Sequence, residues 1–305
     1  MIIAITGGTG TVGSQLTSLL QHRGHEVRIL TRNPRGRKEF YAWDPSNGEI
    51  DESVLDNCDA IIHLAGSSVA AGRWTKSRKK EILHSRVDSA QLLYRVLEEK
   101  GAKLSRMVSA SAIGYFGHQR SETLTEDSSK GVGFLADVCD RWEESADRFA
   151  DHGAEVFKAR IGIVMSREGG FVERVSKLIR LGIGAILGSG KQITSWIHID
   201  DLVTLLADMT EGAVPSGTYN AVAPEPVQHR TIMKGMSKRL KKPILLPNAP
   251  RFALKILFGS LSNELLSNQR VSSEKLVEAG FEFKYPQIDL ALDEIYSGLS
   301  SNSDS

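Results

Sequence analysis

The chain has 305 residues, 41% of them hydrophobic and 25% charged, with 38 Lys plus Arg against 37 Asp plus Glu. That length holds one large α/β domain plus a smaller lobe, and the balanced charge gives no electrostatic reason to expect nucleic acid or a membrane partner. Cys58 and Cys139 match no metal or redox spacing and read as reduced thiols. No apolar run is long enough to span a bilayer, and the first residues have no basic leader, so a cytoplasmic protein is expected.

Ile2 to Thr6 is a short apolar run that reads as a buried strand. Ser14 to Arg23 places Leu16, Leu19 and Leu20 on one helical face and stops at Gly24. Val27 to Thr31, Ala60 to Leu64 and Met107 to Ser111 read as further strands. Between the last two, a long amphipathic helix covers Lys76 to Lys100, with Ile82, Ala90, Leu93 and Leu97 at core spacing. Phe134 to Asp151 reads as helix and Glu155 to Ile161 as strand. This alternation implies parallel strands joined by right-handed crossovers.

After Ile163 the rhythm changes. Leu181 to Gly190 is rich in Gly and Ile and reads as loop. Trp196 to Asp201 leads into a helix ending near Glu211, with Asp200 and Asp201 expected to cap it. Thr218 to Val222 is a late strand, and from Pro224 onward prolines punctuate short helices. The expected fold is α/β, a Rossmann-type doubly wound parallel sheet formed by residues 1–165 with 196–222. A smaller substrate lobe takes 166–195 with 223–298, and the polar tail 299–305 is expected to lack order.

The strongest motif is Thr6-Gly7-Gly8-Thr9-Gly10-Thr11-Val12-Gly13, which follows a strand and opens a helix. Gly7 permits the tight turn, Gly10 lets the backbone approach a pyrophosphate, and Gly13 lets helix and strand pack closely. The free N–H groups of the helix start then face the phosphate charge. The end of the second strand distinguishes the dinucleotides. An NAD site places an acid there for the ribose 2′-hydroxyl. This chain has Thr31-Arg32, with Arg35, Arg37 and Lys38 following. Arg32 offers a forked contact to a 2′-phosphate, so the cofactor expected is NADP(H).

The Gly-x-x-Gly-x-x-Gly spacing resembles the extended short-chain dehydrogenases. Asp59-Ala60-Ile61-Ile62-His63-Leu64-Ala65-Gly66, Arg73-Trp74-Thr75, Ser109 to Gly117, Trp196-Ile197-His198 and Asn220 to Pro224 extend the resemblance over almost the whole chain. They are similar to the atypical, epimerase-like branch of that family. The resemblance implies that Leu64 and Ala65 line the adenosine end, that Glu81 and Arg86 lie near the nucleotide, and that Ile163 meets the nicotinamide end. His63 reads as a packed strand residue.

Standard members of that family pair a Tyr with a Lys four residues on, so that a phenolate can exchange a proton as hydride moves. None of the six tyrosines here is followed by Lys at that spacing. Aligned on the trailing Glu143, Leu135 stands where the Tyr belongs and Cys139 where the Lys belongs. Ser111 is retained at the family's serine position, and Tyr115, four residues later, is the candidate proton donor; Cys139 is a weaker one. The eight histidines form no metal pattern, and no metal is expected. Three readings stay open: an NADP(H)-dependent oxidoreductase on a small carbonyl or hydroxyl substrate, a nucleotide-sugar epimerase or dehydratase, and a non-catalytic NADPH-binding sensor.

Overall fold

The computed structural model describes residues 1–297, with Gln119 and Arg120 described by their backbone alone; the expected polar tail lies outside the described residues. Strands β1 (Ile2–Thr6) and β2 (Glu26–Thr31) flank helix α1 (Thr11–His22). A hairpin of β3 (Phe40–Asp44) and β4 (Glu49–Ile50) follows, then β5 (Ala60–His63), α2 (Lys76–Lys100), β6 (Arg106–Ala112) and β7 (Gln119–Leu124). Next come α3 (Phe134–Asp147), β8 (Glu155–Ile161), β9 (Ile163–Met165), α4 (Gly170–Arg180), β10 (Ile193–Thr194) and β11 (Trp196–His198). The remainder runs α5 (Ile199–Glu211), β12 (Gly217–Ala221), β13 (Val227–Gln228), α6 (His229–Arg239) and α7 (Arg251–Phe258). It ends with α8 (Leu261–Leu265), β14 (Asn268–Val271), α9 (Glu274–Glu278) and α10 (Ile288–Tyr296).

The main sheet has the order β12-β8-β6-β5-β1-β2-β3-β4, parallel throughout except for the β3–β4 hairpin. Alternation along β1 builds two cores. Ile3 and Ile5 point to one face, against Leu16 and Leu20 of α1 and Leu202 and Leu206 of α5. Ala4 points to the other, where Leu93, Val96 and Leu97 of α2 and Ala146 of α3 pack. A third cluster joins α4, α6 and α10 through Val172, Ile179, Ile232, Met236, Leu292 and Ile295.

Local chemistry sets the element ends. Thr75 caps α2 by accepting from Arg78 N at 3.1 Å, and Gly101 closes it at φ 57°. The expectation that Asp200 and Asp201 cap α5 is incorrect. His198 is the cap, its Nδ1 accepting from Asp200 N at 3.2 Å, while Asp201 accepts from Lys284 N and Tyr285 N. Helix α1 begins at Thr11 rather than Ser14, because Gly10 occupies the cap position. The β3–β4 hairpin was not anticipated. Of the segment expected to be helical to Asp151, the last turn tightens to a 3₁₀ helix over Arg148–His152.

One hydrogen-bonded hub locks β1 to β5. The Thr6 hydroxyl oxygen accepts from Leu64 N and Ala65 N, both at 3.1 Å, and lies 2.8 Å from His63 Nδ1. Since it accepts from two amides, the hydroxyl proton goes to Nδ1. The imidazole then carries its own proton on Nε2, 3.1 Å from Arg86 O. Burial, with the Arg86 charge nearby, pushes the His63 pKa down from 6.5 to about 4.

A folded pKa below the unfolded one means that the unfolded chain binds more protons between pH 6.5 and 4. Stability therefore holds above pH 6.5 and falls by up to roughly 3 kcal/mol as pH drops through that window. His229, buried and also pushed down to about 4, adds to the same loss. In thermal melts at pH 4 to 7, His63→Asn is expected to have a shallower slope than wild type; identical slopes would show that the hub does not titrate this way.

Candidate functional site

The strand order reverses between β1 and β5, and ligands of doubly wound sheets bind at such a crevice. The glycine turn after β1 forms one wall. Gly7 has φ 72°, and a Cβ there would lie 2.9 Å from the Leu64 carbonyl carbon, so both conformation and space require glycine. A Cβ on Gly13 would stand 2.2 Å from Gly7 O, which no side chain tolerates. Gly10 differs, since a Cβ there would meet only Gly7 O at 3.3 Å and otherwise point into open space. Gly10 caps α1 without any side-chain hydrogen bond, and the first turn holds no acid. The helix start is thus an uncompensated positive end, fitted to a phosphate.

A cleft of about 670 Å³ opens on this turn. Of the residues expected from the sequence, the structure brings Gly7, Gly10, Thr31, Arg32, Leu64, Ala65 and Glu81 together in its wall. Thr11, Val12 and Gly13 form the first turn of α1 behind the glycine loop. Sequence reasoning missed the opposite wall, Trp43 to Ser46, and the α2 residues His84, Ser85 and Asp88. The latter share a helix face with Glu81 at spacings of three, four and seven, a signal available from Glu81 alone.

The acids near Arg32 are already engaged. Asp44 accepts from the Ser46 hydroxyl at 2.5 Å and from Asn47 Nδ2 at 2.9 Å, and these bonds, with Arg32 nearby, hold its carboxyl below the usual range. Glu81 accepts from the Ser67 hydroxyl at 2.5 Å and from Arg78 at 2.6 Å, which lowers its pKa likewise. Arg86 supports the same wall from behind. Its Nη1 donates to Ser67 O and Ile82 O at 3.1 and 2.8 Å, and its guanidinium carbon sits 4.8 Å over the Trp142 ring. Burial pushes its pKa down to about 10.

The residues expected at the reacting end lie outside the residues that line this cleft. Ser111 is buried, and its hydroxyl donates to Glu143 Oε1 at 2.7 Å. Glu143 is held in turn by Arg160 through two bonds of 2.9 Å, and the Arg160 guanidinium carbon lies 3.6 Å over the Tyr115 ring. Leu135 and Cys139 pack toward Gly114, where a Cβ would stand 3.2 Å from Leu135 Cβ and 3.8 Å from the thiol sulfur. Burial pushes the Cys139 pKa up to about 12, so the thiol keeps its proton. Ile163 donates its N–H to Ser195 O at 3.0 Å and packs toward the third core.

Residues 3–132 match the model of the NAD dependent epimerase/dehydratase family, and residues 249–295 a domain of unknown function, DUF1731. An epimerase family protein of Mycobacterium tuberculosis is 34% identical over 95% of this chain and 96% of its own length. Epimerase family protein YfhF of Bacillus subtilis is 33% identical over 97% and 98%. The chain belongs to the epimerase family. Among solved structures, the human epimerase family protein SDR39U1, crystallised with NADPH, superposes with a TM-score of 0.87 at 29% identity, covering 97% of this chain and 99% of that one. A nucleoside-diphosphate sugar epimerase from Corynebacterium glutamicum gives 0.79 at 33% identity, covering 96% of this chain and 57% of that longer one. In this member of the family, the glycine cradle, the bare helix start and the apolar Leu64–Ala65 turn fit a dinucleotide.

Gly10 and Gly13 should therefore fail differently on substitution. Gly10→Val should fold with a melting temperature near wild type yet lose dinucleotide binding, because the branched side chain occupies the phosphate approach. Gly13→Ala should lower the melting temperature by several degrees, because its methyl meets backbone. Tight dinucleotide binding by Gly10→Val would refute this placement of the phosphate.

Proposed function

We propose that this protein binds NADP(H) in the cleft and acts as an oxidoreductase on a small carbonyl or hydroxyl compound, without a Tyr-x-x-x-Lys pair. The observation that carries the cofactor reading is Arg32, a cationic fork in the cleft wall at the end of β2, with the neighbouring carboxylates of Asp44 and Glu81 held by other partners. Arg32 would take the 2′-phosphate, the start of α1 the pyrophosphate, and Leu64 and Ala65 the adenosine. NADPH in the human relative supports the same assignment. The two buried free thiols fit a reducing compartment, and we assign the protein to the cytoplasm.

When bound, the nicotinamide supplies or accepts a hydride. Among this chain's residues, Tyr115 is the proton donor of the proposal, its ring held in place by Arg160. Carbonyl reduction needs the phenol as an acid and alcohol oxidation needs the phenolate as a base; a Tyr without a lysine partner supplies the acid, so reduction should outrun oxidation. One observation favours a second reading, cofactor binding without turnover: the Ser111 hydroxyl is donated to Glu143 rather than left for a substrate. Sugar epimerisation is the least supported, because Leu135 and Cys139 fill the positions of its base.

Two measurements test these readings. Titrated by fluorescence, wild type should bind NADPH more tightly than NADH, and Arg32→Ala should weaken NADPH by about tenfold to a hundredfold with NADH almost unchanged. Equal affinities in the wild type would sink the NADP(H) assignment. In a carbonyl-reduction assay, Tyr115→Phe should cost about a hundredfold in kcat. Full activity in that variant would remove Tyr115 as donor, and stoichiometric NADPH binding with no carbonyl compound reduced would leave the sensor reading standing.

A further inference from the structure

The balanced charge of the whole chain hides a segregation. Residues 226–263 carry eight Lys and Arg and no Asp or Glu, which leaves 30 basic against 37 acidic residues elsewhere. Within this run, Lys241, Lys242, Arg251 and Lys255 are exposed and make no ion pair with an acid among the described residues. Arg239, by contrast, is taken up by Asp289 and Asp293 of α10.

The same stretch exposes large apolar side chains. On α7, Leu254 is buried and Phe258 packs inward, while Phe252 and Ile256, four residues apart, are 69% and 70% exposed, with Leu257 at 66%. In the preceding loop Leu245 is 72% exposed and Leu246 45%, between Pro243 and Pro247. The loop is tied down at its end, where Ala249 exchanges backbone hydrogen bonds of 2.9 and 2.8 Å with Gly188 and Ile186. A soluble surface normally scatters such residues singly; five of them exposed within thirteen residues of sequence mark a candidate interaction site.

We propose that this face, the loop Lys241–Leu246 together with α7, docks the protein reversibly on anionic lipid bilayers. The argument for that occupant is charge complementarity beside exposed apolar side chains. The unpaired cations stand next to both apolar groups: Lys241 and Lys242 before Leu245, Arg251 and Lys255 interleaved with Phe252 and Ile256. Interfacial elements on acidic membranes are built this way, with apolar side chains at headgroup depth and Lys and Arg on lipid phosphates. Neither the dinucleotide cleft nor the groove lined by Gly101–Ser105 and Asp151–Gly153 includes any of these residues. No helix among the described residues is long and apolar enough to cross a membrane, so the attachment is peripheral.

The experiment is co-sedimentation of the full chain with vesicles of phosphatidylcholine containing 30% phosphatidylglycerol, against pure phosphatidylcholine, at low salt and at about 0.5 M salt. The protein should pellet with the anionic vesicles at low salt and be released by high salt. Lys241→Ala with Lys242→Ala should weaken binding about thirtyfold, and Leu245→Ser with Leu246→Ser should abolish it. Both variants should keep wild-type NADPH affinity, which shows that they fold. Equal binding to neutral and anionic vesicles, or no binding to either, overturns the proposal. So does a concentration-dependent dimer that Phe252→Ser dissolves without any lipid binding, since the face would then belong to a second copy.

Discussion

The Thr6 hydroxyl is the contact on which the cleft depends. It accepts from Leu64 N and Ala65 N, fixing how far the end of β5 stands from the end of β1. That spacing brings the Leu64 carbonyl so near Gly7 that only glycine fits there, and the glycine turn in turn sets where α1 begins. His63 completes the hub as a neutral ring that accepts from Thr6 and donates to Arg86 O. The link reaches α2, whose Glu81, Ser85 and Asp88 form part of the far wall. One buried, fully satisfied polar contact thus orders three elements around the crevice; a charged His63 would place a second donor where only an acceptor fits.

Toward the β8 side of the same sheet edge, a buried pair of charges ties the neighbouring elements together. Ser111, Glu143 and Arg160 connect β6, α3 and β8 in one buried network. Glu143 and Arg160 are each less than a tenth exposed, so their attraction must offset a large desolvation cost, and the two-bond geometry with the Ser111 hydroxyl supplies the extra donors that help. With its hydroxyl donated there, Ser111 supports the sheet edge. Leu135 and Cys139, an alkyl group and a thiol held up near pKa 12, pack toward Gly114 beside this network.

What was legible in the sequence follows from the range of the forces involved. The glycine turn, the extent of α2 from Lys76 to Lys100 and strand Glu155–Ile161 were readable because propensity, periodicity and caps act locally. The β3–β4 hairpin was not, because Phe40-Tyr41-Ala42-Trp43-Asp44 lacks alternation and its polar flanks look like loop; the Trp43–Ser46 wall went unseen with it. The cap of α5 was misassigned for a tertiary reason, since Asp201 is drawn away by two amides of Lys284 and Tyr285, more than eighty residues on. The direction of the Ser111 hydroxyl depends on Glu143, 32 residues away, and no local pattern encodes that.

Net charge, as a sum, discards position. An acid-free run of 38 residues beside a more acidic remainder gives the same total as an even mixture, yet their fields differ at any surface within a Debye length, about 8–10 Å at physiological salt. The run follows β12, and the second family model starts within it, at residue 249. The residues that line the cleft all lie at or before Asp88, outside this run. Substitutions on the exposed face of residues 226–263 therefore leave Thr6, Gly7 and Arg32 untouched.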